Sequence, residues 1–308
     1  MPIAVPENKL IGPRFATLGM VAFVDLLGYS VRVQAIKTAA DLRAIDADVR
    51  RVQKWFGHRS GDVDVRAVQK LQSKRILAFS DCLVITVPSR SELIDADGGD
   101  YDVLFSELVA IAYAQGRCAV NGIFLRGGID YGLWYKRRDT IISPPMVAAY
   151  NLEKQTCVPM IGISKPFRHY LRDNPQRGIY SRQDDPFRRY FRQITLPNGK
   201  KQWVLDYLPL FFGEIDGELT AEERSIWRDA DPATRDAMLS RAHSRDLEAL
   251  TLKHKQQILA ARDATRDPHV RTKYDWLAEY HDDAVRRYFR KPPPEALIGE
   301  NSGARAAG

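Results

Sequence analysis

The chain has 308 residues, 44% of them hydrophobic and 28% charged, enough to bury a sizeable core in one large domain or two smaller ones. Its formal net charge of +7 suits nucleic acid, an anionic membrane surface or a polyphosphate, and does not choose among them. Three cysteines without CxxC spacing (Cys82, Cys118, Cys157) argue against a disulfide framework or zinc site, no apolar run reaches the roughly 20 residues that span a bilayer, and the N-terminus lacks a signal-peptide pattern, so a cytoplasmic chain without a transmembrane segment is expected.

Met20 to Leu26 is an apolar, β-prone run ending at Gly28, and reads as a buried strand. Ala39 to Phe56 places Leu42, Ile45, Val49, Val52 and Phe56 at helical spacing, which predicts an amphipathic helix. Gly57 to Asp64 turns the chain, and Val65 to Leu71 starts a short helix or strand. Arg75 to Val87 reads as a second buried strand, stopped by Pro88. A polar loop, Ser89 to Asp102, precedes a helix over Val103 to Arg117. Ile123 to Ile129 and Leu133 to Ile142 read as two strands of a hairpin, with a basic turn at Lys136 to Arg138 in the second. Pro144 and Pro145 open a helix over Met146 to Gln155, where a missing donor costs nothing. Val158 to Ser164 is a fifth strand. This order predicts an α+β sandwich, helices covering a mainly antiparallel sheet. Between Arg168 and Lys201, basic residues alternate with Tyr and Phe. A solvated surface with aromatic anchors is the favoured reading, and a nucleic-acid patch the lesser one. Beyond Thr220, helices are expected over Ala221 to Arg228, Pro232 to Arg262 and Val270 to Tyr288.

Two carboxylates interrupt the most apolar runs: Asp25 in Phe23-Val24-Asp25-Leu26-Leu27-Gly28 and Asp81 in Phe79-Ser80-Asp81-Cys82. A buried, unpaired carboxylate is costly, so each needs a cation, a hydrogen-bonding partner or an exposed strand end. Either residue alone fits a strand-end cap. As a pair on adjacent strands they are a hard oxygen-donor site suited to Mg²⁺ or Mn²⁺. Leu27-Gly28-Tyr29-Ser30 follows the first Asp where a strand hands over to a helix, a turn that either binds phosphate through backbone N–H groups or simply turns the chain.

Phe23-Val24-Asp25-Leu26-Leu27-Gly28-Tyr29-Ser30, Phe79-Ser80-Asp81 and Leu125-Arg126-Gly127-Gly128-Ile129-Asp130-Tyr131-Gly132 resemble, in order and approximate spacing, the metal motifs and following strand of class III nucleotidyl cyclases. With Ala149-Tyr150-Asn151-Leu152-Glu153, they are more similar still to the bacterial pyrimidine cyclases of Pycsar antiphage defence. The resemblance covers about Gly19 to Ser164. It implies a ferredoxin-like catalytic core over residues 1–165; beyond it, the basic, aromatic and helical sequence over 166–290 reads as an extension packed on or beside that core, and the Pro292-Pro293-Pro294 run with the Gly/Ala tail reads as disorder over 291–308.

It also implies two divalent ions, Mn²⁺ or Mg²⁺, held by Asp25, Asp81 and the Leu26 carbonyl, which clamp a nucleoside triphosphate for attack by its ribose 3′-hydroxyl. Leu27, Gly28 and Tyr29 would border the phosphates. The expected substrate is UTP, giving 3′,5′-cyclic UMP and diphosphate, with CTP as the alternative, then ATP or GTP, then a non-catalytic nucleotide- or RNA-binding role. The resemblance further implies a homodimer with sites at the interface and a product that signals to a separate effector.

Arg75 stands where purine cyclases carry a base-reading Lys or Glu, and Thr140 aligns with their second base-reading position. Arg75 suits a pyrimidine carbonyl or serves as a sheet-edge or phosphate-contacting cation. Met146 and Tyr150 replace the helix Asn and Arg of the family, leaving Arg126, Lys136, Arg137 and Lys154 as available cations. Tyr29, Tyr131 and Tyr150 either stack on a base or, more commonly for such positions, belong to the core.

Overall fold

The computed structural model describes residues 16–57, 74–90, 99–137 and 140–299. Contacts divide these residues into two compact units. The first takes residues up to Leu108 with Leu125–Leu196 and Lys200–Leu205, and the second takes Val109–Phe124, Pro197–Gly199 and Asp206 onward.

The first unit is built on an eight-stranded sheet. Its first four strands are β1 (Thr17–Leu26), β2 (Arg75–Phe79), β3 (Cys82–Pro88) and β4 (Leu125–Arg137), and they lie in the order β2-β3-β1-β4. Every neighbouring pair among them is antiparallel. Helices α1 (Tyr29–Gln34) and α2 (Ala39–Gly57) separate β1 from β2, and α3 (Tyr101–Ala119) separates β3 from β4. This is the βαββαβ arrangement of a ferredoxin-like sheet, and the α+β class expected from the element order holds.

Strand β1 is central, which is why its apolar run is nearly continuous. Met20, Ala22 and Val24 are buried on one side, while Val21 joins Val84 and Trp134 on the other, with Phe23, Leu77, Ile141 and Met146 packed against that cluster. In α2 the stripe is narrower than its spacing predicts: Ile45, Val52 and Phe56 are buried, and Leu42 is exposed.

Two strand expectations are corrected. Arg75 to Val87 is not one strand but a hairpin, in which Phe79 pairs with Cys82 and Ser80-Asp81 form the turn. Ser80 takes a φ of 53°, a left-handed conformation that costs a non-glycine residue about 1–2 kcal/mol. No Gly or Asn marks this turn, so apolar residues on both sides hid it. Conversely, Ile123 to Ile142 does not bend at Tyr131-Gly132. Strand β4 runs unbroken through them, and its hairpin partner is the short β5 (Thr140–Ile142), with Arg137 paired to Thr140.

Helix α4 (Pro144–Thr156) is capped by Ser143, whose side chain accepts from the Met146 N–H at 3.1 Å. Strand β6 (Ile161–Ile163) pairs parallel to β4, the one parallel pair among the described strands. The sheet continues past residue 165: β6 meets β8 (Lys201–Leu205), which pairs with β7 (Phe191–Thr195).

The basic, aromatic segment between carries α5 (Lys165–Arg172) and α6 (Pro186–Tyr190). Two of its arginines, Arg168 and Arg177, pack on aromatic rings. Arg168 lies over the Trp203 ring at 4.6 Å, and Arg177 lies over Phe187 while its guanidinium grips Asp185 at 2.7 and 3.0 Å.

The second unit is helical, with α7 (Tyr207–Gly213), α8 (Ala221–Asp229), α9 (Pro232–Ala264) and α10 (Pro268–Tyr288). The buried residues of α9 (Met238, Ala242, Leu247, Thr251, His254 and Ile258) trace one helical stripe. No helix among the described residues is long and apolar enough to cross a membrane.

The tail expectation fails over 291–299. Ala296 and Leu297 are buried, Lys255 Nζ donates to the Glu295 and Leu297 carbonyls, and the Asp282 carboxylate accepts from the Ile298 and Gly299 N–H groups. A compositional signal for disorder was outweighed by backbone hydrogen bonds to buried partners. Residues 300–308, the Val65 to Leu71 segment, residues 58–64, most of the Ser89 to Asp102 loop and Arg138 lie outside the described residues.

A polar chain runs through this unit. The Ala296 carbonyl only accepts, so His281 Nε2–H donates to it at 2.8 Å. The neutral His281 ring then accepts at Nδ1 from His254 Nδ1–H, also at 2.8 Å, and His254 Nε2 accepts from the Tyr207 hydroxyl. Burial lowers the pKa of both rings, so both stay neutral. In the unfolded chain they take up protons below about pH 6.5. The unfolded state then binds more protons, and stability present above that pH is lost as pH falls. The unfolding midpoint, followed by circular dichroism, is expected to drop from about pH 7 to about pH 5, and to drop less steeply in the His254→Gln, His281→Gln double variant.

Candidate active site

Asp25 is the penultimate residue of β1, paired across the sheet with Cys82 on one side and Arg126 on the other. That register brings the Ser80-Asp81 turn beside it, and the Leu26 N–H donates to the Asp81 carbonyl at 3.3 Å. Gly28 follows at φ 79°, a left-handed turn open to glycine at no steric cost, and starts α1. The Ser80 hydroxyl donates to the Tyr29 hydroxyl at 3.0 Å and ties this turn to the β2–β3 turn. Asp25, Leu26, Leu27, Gly28, Tyr29 and Asp81, expected from sequence to share a site, thus lie at one end of the sheet.

Arg75 pairs with Thr86, and Thr140 with Arg137, but the side chains of Arg75 and Thr140 lie outside the described residues. Tyr131 is partly buried and packed within the fold: it stacks on Tyr170 with ring centroids 3.9 Å apart, and its hydroxyl bonds Ser89 Oγ at 2.7 Å. Tyr150 lies edge-on to Phe23 at 5.3 Å and remains partly exposed.

Two further residues complete the cluster. Arg126 donates to Asp25 Oδ2 through Nη2 at 2.8 Å and Nε at 3.0 Å, and its Nε forms an ion pair with Glu153 Oε1 at 2.5 Å. The Glu153 side chain is only 2% exposed, against 28% for Arg126. Glycine makes this contact reachable. A Cβ on Gly128 would stand 2.2 Å from the Ala149 carbonyl oxygen, so α4 crosses β4 at a distance only glycine permits and delivers Glu153 to Arg126. Sequence reading named Arg126 only as one of four available cations and gave Glu153 no role in the site. The available signal was the Arg126-Gly127-Gly128 run, together with a Glu one turn beyond Ala149 on a helix that covers it.

Two carboxylates, Asp25 and Glu153, therefore share one guanidinium, with the charge of Asp81 close to Asp25. Burial pushes the Asp25 pKa up to about 6. The Arg126 hydrogen bond and charge oppose that rise, and the charges of Asp81 and Glu153 add to it. Among the described residues, no group of three or more His, Cys, Asp or Glu side chains forms a metal cage. Two carboxylates and a backbone carbonyl are instead the donor set that binds a hard divalent ion jointly with substrate oxygens, and the uncompensated negative charge here fits such an ion.

No protein-family model and no curated protein sequence matches the chain. It is similar in structure to the adenylyl cyclase CyaB from P. aeruginosa, with 14% identity and a TM-score of 0.40 over 62% of this chain and 94% of that one. A class III adenylyl cyclase-like ATP-binding protein from Pseudomonas aeruginosa shows 15% identity and a TM-score of 0.39 over 79% of this chain and 45% of that one. The catalytic core of a rhodopsin-guanylyl cyclase with converted specificity, in complex with ATPαS, shows 11% identity and a TM-score of 0.37 over 62% and 97%.

Because Asp25 is harder to ionise here than in the unfolded chain, its charge costs stability as pH rises through about 4 to 6. Asp25→Asn is expected to raise the unfolding free energy at neutral pH by about 1–2 kcal/mol in urea titrations. Gly128→Ala is expected to lower it by about 1–3 kcal/mol, since α4 must move off the sheet.

Proposed function

We propose that the chain is a metal-dependent nucleotidyl cyclase acting on a pyrimidine nucleoside triphosphate, UTP first and CTP as the alternative. The observation that carries this reading is the convergence of Asp25 and Asp81 at the edge of adjacent antiparallel strands, beside the Leu27-Gly28-Tyr29 turn. Asp25, Asp81 and the Leu26 carbonyl would hold the two divalent ions, Mn²⁺ or Mg²⁺. When bound, these ions supply Lewis-acid polarisation of phosphate oxygens and of the attacking hydroxyl.

In the reaction, the ribose 3′-oxygen bonds to the α-phosphorus, the bond from that phosphorus to the bridging oxygen breaks, and the hydroxyl proton passes to solvent as diphosphate leaves. The chain's part is positioning and charge. Residues Leu27 to Tyr29 border the triphosphate, and Arg75 and Thr140 are assigned to the base. The pyrimidine assignment is supported by the likeness at Phe79-Ser80-Asp81, Arg126 to Ile129 and Ala149 to Glu153, and by an arginine, a donor only, at position 75. In this reading the protein works as a homodimer, and its cyclic product is a messenger for a separate effector in antiphage defence.

Incubating the purified chain with Mn²⁺ and each of the four ribonucleoside triphosphates, with products identified by mass, tests the assignment. Cyclic UMP or cyclic CMP is expected to dominate, and equal turnover of all four would remove the pyrimidine claim. Asp81→Ala is expected to abolish product while leaving the circular dichroism spectrum unchanged. A variant turning over at the normal rate would end the two-metal assignment.

A further inference from the structure

Cyclisation of a nucleoside triphosphate needs a fixed cation near the reacting phosphate, because negative charge shifts toward the leaving diphosphate as the bond breaks. The face of α4 that looks onto the sheet does not provide one. Met146 packs against the Val21, Val84 and Trp134 cluster, and Tyr150 lies on Phe23. Lys154, on the next turn, rests its ammonium over the Tyr150 ring at 4.2 Å. The guanidinium that touches Asp25 belongs to Arg126.

Its anchoring is shared. Both of its contacts with Asp25 fall on one oxygen, Oδ2, and Glu153, which is more deeply buried than Asp25, meets the guanidinium at Nε, the nitrogen that also donates to Asp25. We propose that Arg126 is the phosphate-stabilising cation of this site, and that in the metal-free chain it acts as the counter-ion of Asp25, surrendered to an arriving divalent ion while Glu153 keeps the guanidinium in place.

The charges justify the exchange. Without metal, Asp25 and Glu153 share a single guanidinium and the charge of Asp81 acts on Asp25, so Asp25 needs Arg126. Once a divalent ion takes Asp25, the arginine loses one partner and keeps the other. Its remaining donors are then free for an anionic oxygen, and a planar guanidinium is suited to phosphate. Glu153 is a positioning residue in this scheme: its partner is Arg126, not substrate.

The inference rests on the cyclase reading, and its test separates the two. Mn²⁺ binding to the full chain without nucleotide, measured by electron paramagnetic resonance, is read beside turnover of the preferred triphosphate. Arg126→Gln is expected to bind Mn²⁺ about tenfold more tightly, because the competing ion pair is gone, yet to turn over at least about a hundredfold more slowly. Arg126→Lys should recover part of that turnover. Glu153→Gln should lower turnover without tightening Mn²⁺ binding.

Unchanged Mn²⁺ affinity or normal turnover in Arg126→Gln overturns the inference and leaves the cyclase reading standing. A wild-type chain with no Mn²⁺ site sensitive to Asp25→Asn overturns the metal reading and this inference with it. Should the Arg126 variants fail to fold, the unmodified chain still decides. Its Arg126 Nε–H resonance is expected to shift when Mg²⁺ is added, and a signal that stays put overturns the exchange.

Discussion

Helix α4 can reach the sheet only because Gly128 has no side chain, and the chemistry proposed for this protein depends on that approach. Any Cβ at this position would enter the Ala149 carbonyl oxygen. With the helix in contact, Glu153 is buried at the end of β4, where a lone carboxylate would be untenable. Arg126, two residues before Gly128 on the same strand, forms an ion pair with Glu153 and reaches on to Asp25. A backbone constraint thereby becomes an electrostatic one: the strand that tolerates the helix also supplies the cation that the helix requires.

The acidic end of the sheet is unfavourable by design of its neighbours. Desolvation and two nearby carboxylates disfavour the charged form of Asp25, and a single arginine offsets only part of that. Stability alone would favour an uncharged residue there. Such unrelieved charge, beside a strained turn at Ser80 and a left-handed Gly28, is consistent with the proposed binding of a divalent ion and a triphosphate. By contrast Asp130, more deeply buried than Asp25, receives the Ser164 hydroxyl and joins β4 to the start of α5, a structural use of the same residue type on the neighbouring strand.

The helical unit solves burial of polar groups differently. Its histidines, tyrosines and carboxylates satisfy one another in chains, from Tyr207 through His254 and His281 to Ala296, and from Leu208 through Tyr280 to Asp206 and Arg287. Every described member of the first chain has a defined donor or acceptor role, so the chain holds the Ala296 carbonyl with neutral groups, while Lys255 and Asp282 hold the neighbouring backbone. No comparable surplus of charge appears there, and no catalytic role is assigned to it.

Hydrophobic periodicity in the sequence was enough to locate β1, α2, α3, α4 and the three long C-terminal helices, because each buries one stripe or a whole strand, and that demand is local. It also singled out Asp25 and Asp81, since a charge inside an apolar run stands out without any knowledge of the fold. Other features depended on residues far apart in the chain. The Ser80-Asp81 turn carries no glycine, β7 and β8 alternate too weakly to show, and residues 291–299 read as a tail although Ala296 and Leu297 are buried. The joining of Asp25, Arg126 and Glu153, across 101 positions between the first two, came only from sheet register and helix approach. Composition can place a charge in a strand, but only the tertiary structure decides which opposite charge meets it, because that depends on where the backbone can come close.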